Sequence, residues 1–184
     1  MTNENNSAAV DASLEGFAAL GISGPLLKAT HAMGYTSPKP IQQQSIPAQM
    51  EGRDILGIAQ TGSGKTVAFS LPILAKIVGI GTKRVARTCR ALILAPTREL
   101  AVQIEEEIRA MSKGLHISTA LVLGGVSRFS QVKKMAPGVD VLIATPGRLL
   151  DLFERSKVML NGVQIIGGLI VVCGVVLLAS SKQP

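Results

Sequence analysis

Cysteine is scarce in this chain of 184 residues, and Cys89 and Cys173 stand far apart, at neither a metal-ligand spacing nor a disulfide framework. That excludes a disulfide-stapled secreted module and a cysteine-based metal site. It leaves both thiols as inert core residues and points to a reducing cytoplasm. Histidine is equally sparse: His31 and His116 have no carboxylate, cysteine or second histidine at a catalytic or metal spacing, so both read as structural. No Lys or Arg precedes an apolar run in Met1–Ala12, which excludes an ordinary secretory signal and makes residues 1–13 a disordered leader. Internal repeats and low-complexity tracts are absent. No Asp or Glu follows Glu154, and from Val158 onward only Lys182 is charged.

What is present is positive charge and one domain's worth of chain. The formal charge of +7 favours anionic partners such as nucleic acid, because fixed positive charge attracts polyanions and releases their counterions. Leu26–Met33 and Ile41–Met50 read as short helices, the second opening after Pro40. Strand and helix then alternate: Asp54–Ala59 with Lys65–Ile77, interrupted by Pro72; Ala91–Ala95 with Arg98–Met111; Ser118–Leu123 with Phe129–Met135; Val139–Ala144 with Gly147–Phe153. Apolar strands each followed by a helix predict an α/β domain, a doubly wound parallel sheet with helices on both faces, over residues 14–160. Lys83, Arg84, Arg87 and Arg90 read as a solvated basic loop, and Glu105, Glu106 and Glu107 as the wet face of an amphipathic helix.

Ala59-Gln60-Thr61-Gly62-Ser63-Gly64-Lys65-Thr66 lies between a predicted strand and a predicted helix start. Glycines let the backbone curl so that successive N–H groups point at phosphate oxygens, and the helix dipole adds positive potential there. Lys65 would reach the outer phosphates and Thr66 would offer its hydroxyl to Mg²⁺. Ala59 departs from the strict phosphate-loop pattern, which has glycine at that place.

Other segments accompany this loop in a fixed order. Gly34-Tyr35-Thr36-Ser37-Pro38-Lys39-Pro40-Ile41-Gln42, with Phe17 seventeen residues ahead, precedes it; Pro96-Thr97-Arg98-Glu99-Leu100-Ala101, Gly124-Gly125 and Thr145-Pro146-Gly147-Arg148 follow it, each after a predicted strand. This series resembles the amino-terminal RecA-like, P-loop domain of DEAD-box ATP-dependent RNA helicases of the bacterial type, whose Q motif, motif Ia, GG segment and motif Ib it matches. The resemblance implies ATP and Mg²⁺ as cofactors. Gln42 would select adenine, Phe17 would stack on it, Tyr35 would belong to the same corner, and Thr61, Gly62, Ser63, Gly64, Lys65 and Thr66 would hold the phosphates. It also implies RNA gripped by its sugar-phosphate backbone through Pro96, Thr97, Arg98, Glu99, Gly124, Gly125, Thr145, Pro146, Gly147 and Arg148, with no sequence-specific reading of DNA. The three segments that each follow a strand fall on the carboxyl edge of the sheet, which should hold both nucleotide and RNA.

The resemblance stops at residues 161–184. The family's Asp-Glu-Ala-Asp should follow within several residues of Val163-Gln164-Ile165, yet the chain reads Ile166-Gly167-Gly168-Leu169-Ile170-Val171-Val172. The carboxylates that hold Mg²⁺ and orient the attacking water are therefore missing, as are the Ser-Ala-Thr linker and the second RecA-like domain. The expectation is a helicase piece able at most to bind ATP and RNA, with no catalytic residue of its own; the alternatives are a non-catalytic nucleotide- or RNA-binding module and a membrane-tethered piece. Three readings of the tail stand, in this order: the product of a frame shift or truncation, a buried strand, or an anchor. For the anchor, 24 residues from Val158 to Ser181 carry no charge, but the strictly apolar part, Ile165–Ala179, has only 15, fewer than the roughly 18 to 20 that a spanning helix needs.

Overall fold

A computed structural model describes residues 15–155, 157–160, 165–172 and 175–178. The expected leader at Met1–Ala12 and the second cysteine, Cys173, lie outside them. The elements in chain order are α1 (Gly24–Ala32), α2 (Pro40–Met50), β1 (Ile55–Ile58), α3 (Lys65–Gly79), β2 (Cys89–Leu94), α4 (Arg98–Met111), β3 (Thr119–Val122), α5 (Arg128–Met135), β4 (Val139–Ala144), α6 (Pro146–Glu154), β5 (Ile165–Val172) and β6 (Val175–Leu178). Each strand and helix expected from the sequence forms within a few residues of its expected limits. The six strands make one sheet in the order β1-β6-β5-β2-β4-β3. β5, β2, β4 and β3 pair in parallel, whereas β6 is antiparallel to both β5 and β1. Two reversals restore direction, so β1 runs the same way as β5, β2, β4 and β3, and all five end at one edge.

The sheet is covered on both faces because its central strands are apolar in both registers. In β4, Val141 and Ile143 pack with Ala91, Ile93, Phe69, Leu71, Ile104 and Ile108 under α1 to α4, while Leu142 and Ala144 pack with Ala120, Val122, Met135, Leu149 and Leu152 under α5 and α6. β1 is less well covered: Leu56 and Ile58 are 63% and 72% exposed.

Pro72 does not interrupt α3, which runs through it for 15 residues. A helical proline has no N–H for the carbonyl four residues back. That carbonyl belongs to Ala68, and the buried Gln49 of α2 donates to it from Nε2 at 3.1 Å, as it does to Ser45 O at 3.1 Å. The side chain of one helix thus completes the backbone of the next.

The apolar tail forms strands where the structure describes it. β5 pairs with β2 through Ala91 with Ile165 and then Ile93 with Leu169, a register shift that places the extra residues at Ile166-Gly167-Gly168. Glycines suit such a bulge because the local backbone kinks. Among the described residues no helix is long and apolar enough to cross a membrane.

Two sequence expectations need correction. Arg84 and Arg90 do not stand free in solvent: Arg84 is half-buried, and Asp140, at the start of β4, is 1% exposed and accepts from Arg84 Nη2 at 2.7 Å, Arg90 Nη1 at 3.0 Å and Ser118 N at 2.8 Å. Arg90 is itself 7% exposed. A carboxylate inside an apolar strand draws the cations in, since a buried charge without a partner is costly. Nor is the glutamate triplet uniformly wet, because only Glu106 points to solvent. Glu105 is buried, accepting from Thr119 Oγ1 at 2.9 Å and Arg109 Nε at 3.1 Å, and Glu107 accepts from Tyr35 Oη at 3.0 Å.

Candidate functional site

The loop after β1 turns into α3 through two glycines, Gly62 and Gly64, at φ values of +78° and +88°. Gly64 caps α3. A Cβ there would lie 2.5 Å from Gln42 Nε2 and 3.2 Å from Lys39 Cδ, so both the left-handed backbone and the crossing side chains require glycine. Thr61 and Gly62 are exposed, and Ser63, Gly64, Lys65 and Thr66 are half-buried. The first-turn N–H groups of α3 have no intrahelical acceptor and point out of the helix start.

Lys65 folds back over its own loop, its Nζ donating to the carbonyls of Ala59 and, at 2.7 Å, Gln60. Ser63 Oγ is buried without a hydrogen-bond partner among the described residues. A cation resting on neutral carbonyls, an unpartnered hydroxyl and a helix start free of acidic residues together suit a polyanion with its metal ion.

Gln42 joins this loop to α2. Its Oε1 accepts from Lys39 N at 2.8 Å, closing the start of α2, and its Nε2 donates to Gly64 O at 3.1 Å. The side chain is 1% exposed. Lys39, which the sequence pattern did not single out, also reaches the loop: Nζ donates to Gly62 O at 2.9 Å. Its signal was a cation three residues before Gln42.

Phe17 lies in the core at 1% exposure, among Ile22, Leu26 and Ile46, with no ring face open to solvent. Tyr35 is half-buried on Glu107. Burial first, and then the Glu107 carboxylate, push its phenol up to about 12.

The other segments gather at the ends of β2, β3 and β4, which are neighbours in the sheet. Thr97 caps α4, its Oγ1 accepting from Leu100 N at 3.2 Å. Pro96, Arg98 and Glu99 are exposed beside it. Arg98 crosses to the glycine pair, and Nη1 donates to Gly124 O at 3.0 Å. Gly125 has φ +77°, and a Cβ on it would collide with Arg98 Nη1. Thr145 caps α6 and Pro146 opens it; Gly147 is exposed, and Arg148 Nη1 donates to Val126 O at 2.8 Å. Gln131, another residue missed in the sequence, holds the same loop from below, accepting from Leu123 N at 3.1 Å and donating to Leu123 O at 2.9 Å and Val126 O at 3.3 Å. Asp151 gathers Arg155 and Arg128 at 2.9 Å and 2.8 Å and Arg148 at 3.6 Å; the Arg155 hydrogen bond foremost, with Arg128 behind it, holds its carboxyl below the ordinary range.

One edge of one sheet therefore carries a phosphate-type loop after β1 and, beyond β6 and β5, arginines, backbone turns and two helix starts. β5 reaches that edge too, but its last residues are Val171 and Val172, and among the described residues no cluster of acidic, histidine or cysteine side chains is able to hold a metal.

Comparison with known proteins agrees with this geometry. The family model of the DEAD/DEAH box helicases matches residues 39–171. A curated relative, DEAD-box ATP-dependent RNA helicase 52A of Oryza sativa subsp. japonica, is 42% identical over 163 residues, covering 83% of this chain and 27% of the rice protein. The crystal structure of a hypothetical ATP-dependent RNA helicase from Sulfolobus tokodaii superposes with a TM-score of 0.68 at 31% identity, covering 77% of this chain and 39% of that one. The chain thus spans about a quarter of the curated relative's length. With the motif order, the sheet and all three comparisons in agreement, this chain belongs to the DEAD/DEAH box helicase family.

Proposed function

We propose that this chain is the ATP- and RNA-binding part of an ATP-dependent RNA helicase, and that by itself it binds without turnover. The observation that carries the nucleotide reading is the loop itself, with Lys65 on carbonyls that phosphate oxygens outcompete and Ser63 Oγ without a partner among the described residues. Loop N–H groups and Lys65 take the β- and γ-phosphates, and Thr66 supplies the hydroxyl ligand for Mg²⁺. The metal, when bound, neutralises charge on the phosphates. Gln42 has spent one N–H and one lone pair inside the protein and has one of each left, but at 1% exposure it presents them to an adenine edge only once the residues over it move aside. It also ties base recognition mechanically to the phosphate loop through Gly64.

RNA is assigned to Thr97, Arg98, Gly124, Gly125, Thr145, Gly147 and Arg148, which offer charge, a threonine hydroxyl and close backbone approach, groups that grip phosphodiesters without reading bases. Turnover needs a carboxylate to orient water at the end of β5, where Val171 and Val172 stand.

The test is titration of Mg²⁺-ATP into wild type, Lys65→Ala and Gln42→Ala, alongside ATP hydrolysis with and without RNA. Lys65→Ala should weaken binding about ten- to a hundredfold, the value of a charge-assisted hydrogen bond. Hydrolysis should stay at background in all samples. Equal affinity in the three proteins would sink the nucleotide reading, and RNA-stimulated turnover would sink the claim of binding alone.

A further inference from the structure

Phe129 is the most exposed large apolar side chain among the described residues, at 79%. It stands in the first turn of α5, whose inward residues are Gln131 and Met135. Two helical positions before Gln131 is roughly 200° around the axis, so the ring faces directly away from the core. Its mounting is stiff: the Gly124–Val126 loop leading into the helix is held by Arg98, Gln131 and Arg148, and the adjacent Arg128 is locked to Asp151 of α6. Val126, in the same loop, is 48% exposed.

The charge around this ring tells what covers it. Within α5, Arg128 adjoins the ring in sequence, Lys133 stands one helical turn on with Lys134 next to it, and Arg128–Met135 holds no acidic residue; the carboxylate that Arg128 meets is Asp151 of α6. The core of a protein–protein patch is depleted in charge. An aromatic face among cations is instead the arrangement that binds single-stranded nucleic acid, where the groove tracks the backbone and each base brings a π-face.

We propose that Phe129 is a base-stacking platform: an unpaired base of the RNA whose backbone lies on Gly124, Gly125 and Arg148 stacks on its ring. This rests on the RNA reading above. It adds what backbone contacts lack, namely discrimination of a strand bearing bases from a bare phosphodiester chain, without selection of a sequence.

Fluorescence anisotropy with a short mixed-sequence RNA strand and an abasic ribose-phosphate strand of equal length tests it across a salt series. Wild type should bind the base-bearing strand about tenfold more tightly than the abasic one, the size of one base–aromatic stack. Phe129→Ala should erase that difference, leave abasic binding unchanged and leave the salt slope intact, because stacking releases no counterions. Phe129→Trp should restore the preference. Full RNA affinity in Phe129→Ala would overturn the platform alone and give this face to a protein partner. Failure of the wild type to bind either strand at low salt would overturn the RNA reading and the platform together.

Discussion

At the amino-terminal edge of the sheet Asp140 holds Arg84 and Arg90 against Ser118 N, while at the carboxyl edge Lys65, Arg98 and Arg148 rest on carbonyl oxygens of Ala59, Gln60, Gly124 and Val126. The same cationic side chains serve opposite ends. A guanidinium paired with a buried carboxylate has its charge neutralised, and nothing weaker than a full charge displaces its partner. A cation on a neutral carbonyl keeps its net charge, and an incoming phosphate wins it by a charge-assisted bond roughly twice as strong as a neutral one. On the proposed function, stability and binding are thus separated by edge, and the partner of each cation, rather than the cation, decides which it serves. Arg148 is intermediate, since Asp151 stands 3.6 Å from it.

The largest expected effect lies at the closed edge. Asp140→Ala strands Arg90 without its counter-charge and should cost about 3–5 kcal/mol, read from urea unfolding. Unchanged stability would show that the network is incidental. At the open edge, Gly64→Ala forces a side chain into a left-handed conformation against Gln42 Nε2; a loss of about 1–2 kcal/mol is expected, together with weaker nucleotide binding. An effect of similar size comes from Gln49→Ala, which should cost about 1–3 kcal/mol because Ala68 O loses its donor.

RNA binding sharpens the contrast through salt. Arg98→Ala should lower the slope of log affinity against log salt by about 0.7, the value of one phosphate contact on a single strand. Arg84→Ala should leave that slope alone, and a fall of equal size would break the division between edges.

Tyr35 provides the smallest effect and a direct readout, being the only tyrosine in the chain. Its pKa rises from 10.0 to about 12 on folding, so the folded protein holds the proton more tightly than the unfolded one. The stabilising contribution is complete below pH 10 and is lost as pH climbs through 12. Tyrosinate absorbance should titrate near pH 12 in the native protein and near pH 10 in urea, and Tyr35→Phe should remove the alkaline loss of stability.

Much of the site was legible because its chemistry is local. Gly62, Gly64, Lys65 and Thr66 announce a phosphate loop through spacing alone, since a tight turn ahead of a helix needs those residue types in that order. The hydrogen bond from Leu100 N to Thr97 Oγ1 at the start of α4 is equally local. Lys39, Gln131 and Asp151 were not legible, because each acts on groups far along the chain and only packing brings the two together. Arg84 and Arg90 misled for the same reason: their partner, Asp140, lies 56 and 50 residues away, inside a strand that looked purely apolar.

By itself, then, the sequence determined the order of strands and helices, the glycine turn into α3 and the edge on which Pro96–Ala101, Gly124-Gly125 and Thr145–Arg148 gather, because apolar periodicity and glycine placement act over a few residues. Only the tertiary structure decided that Pro72 sits inside a continuous helix because Gln49 serves Ala68 O, that Phe17 is core, and that the apolar tail pairs beside β2. It also decided which cations are spent in ion pairs and which stay available to an anion. Those outcomes depend on burial and on partners distant in the chain, where the cost of an unpaired charge or carbonyl is set by what surrounds it.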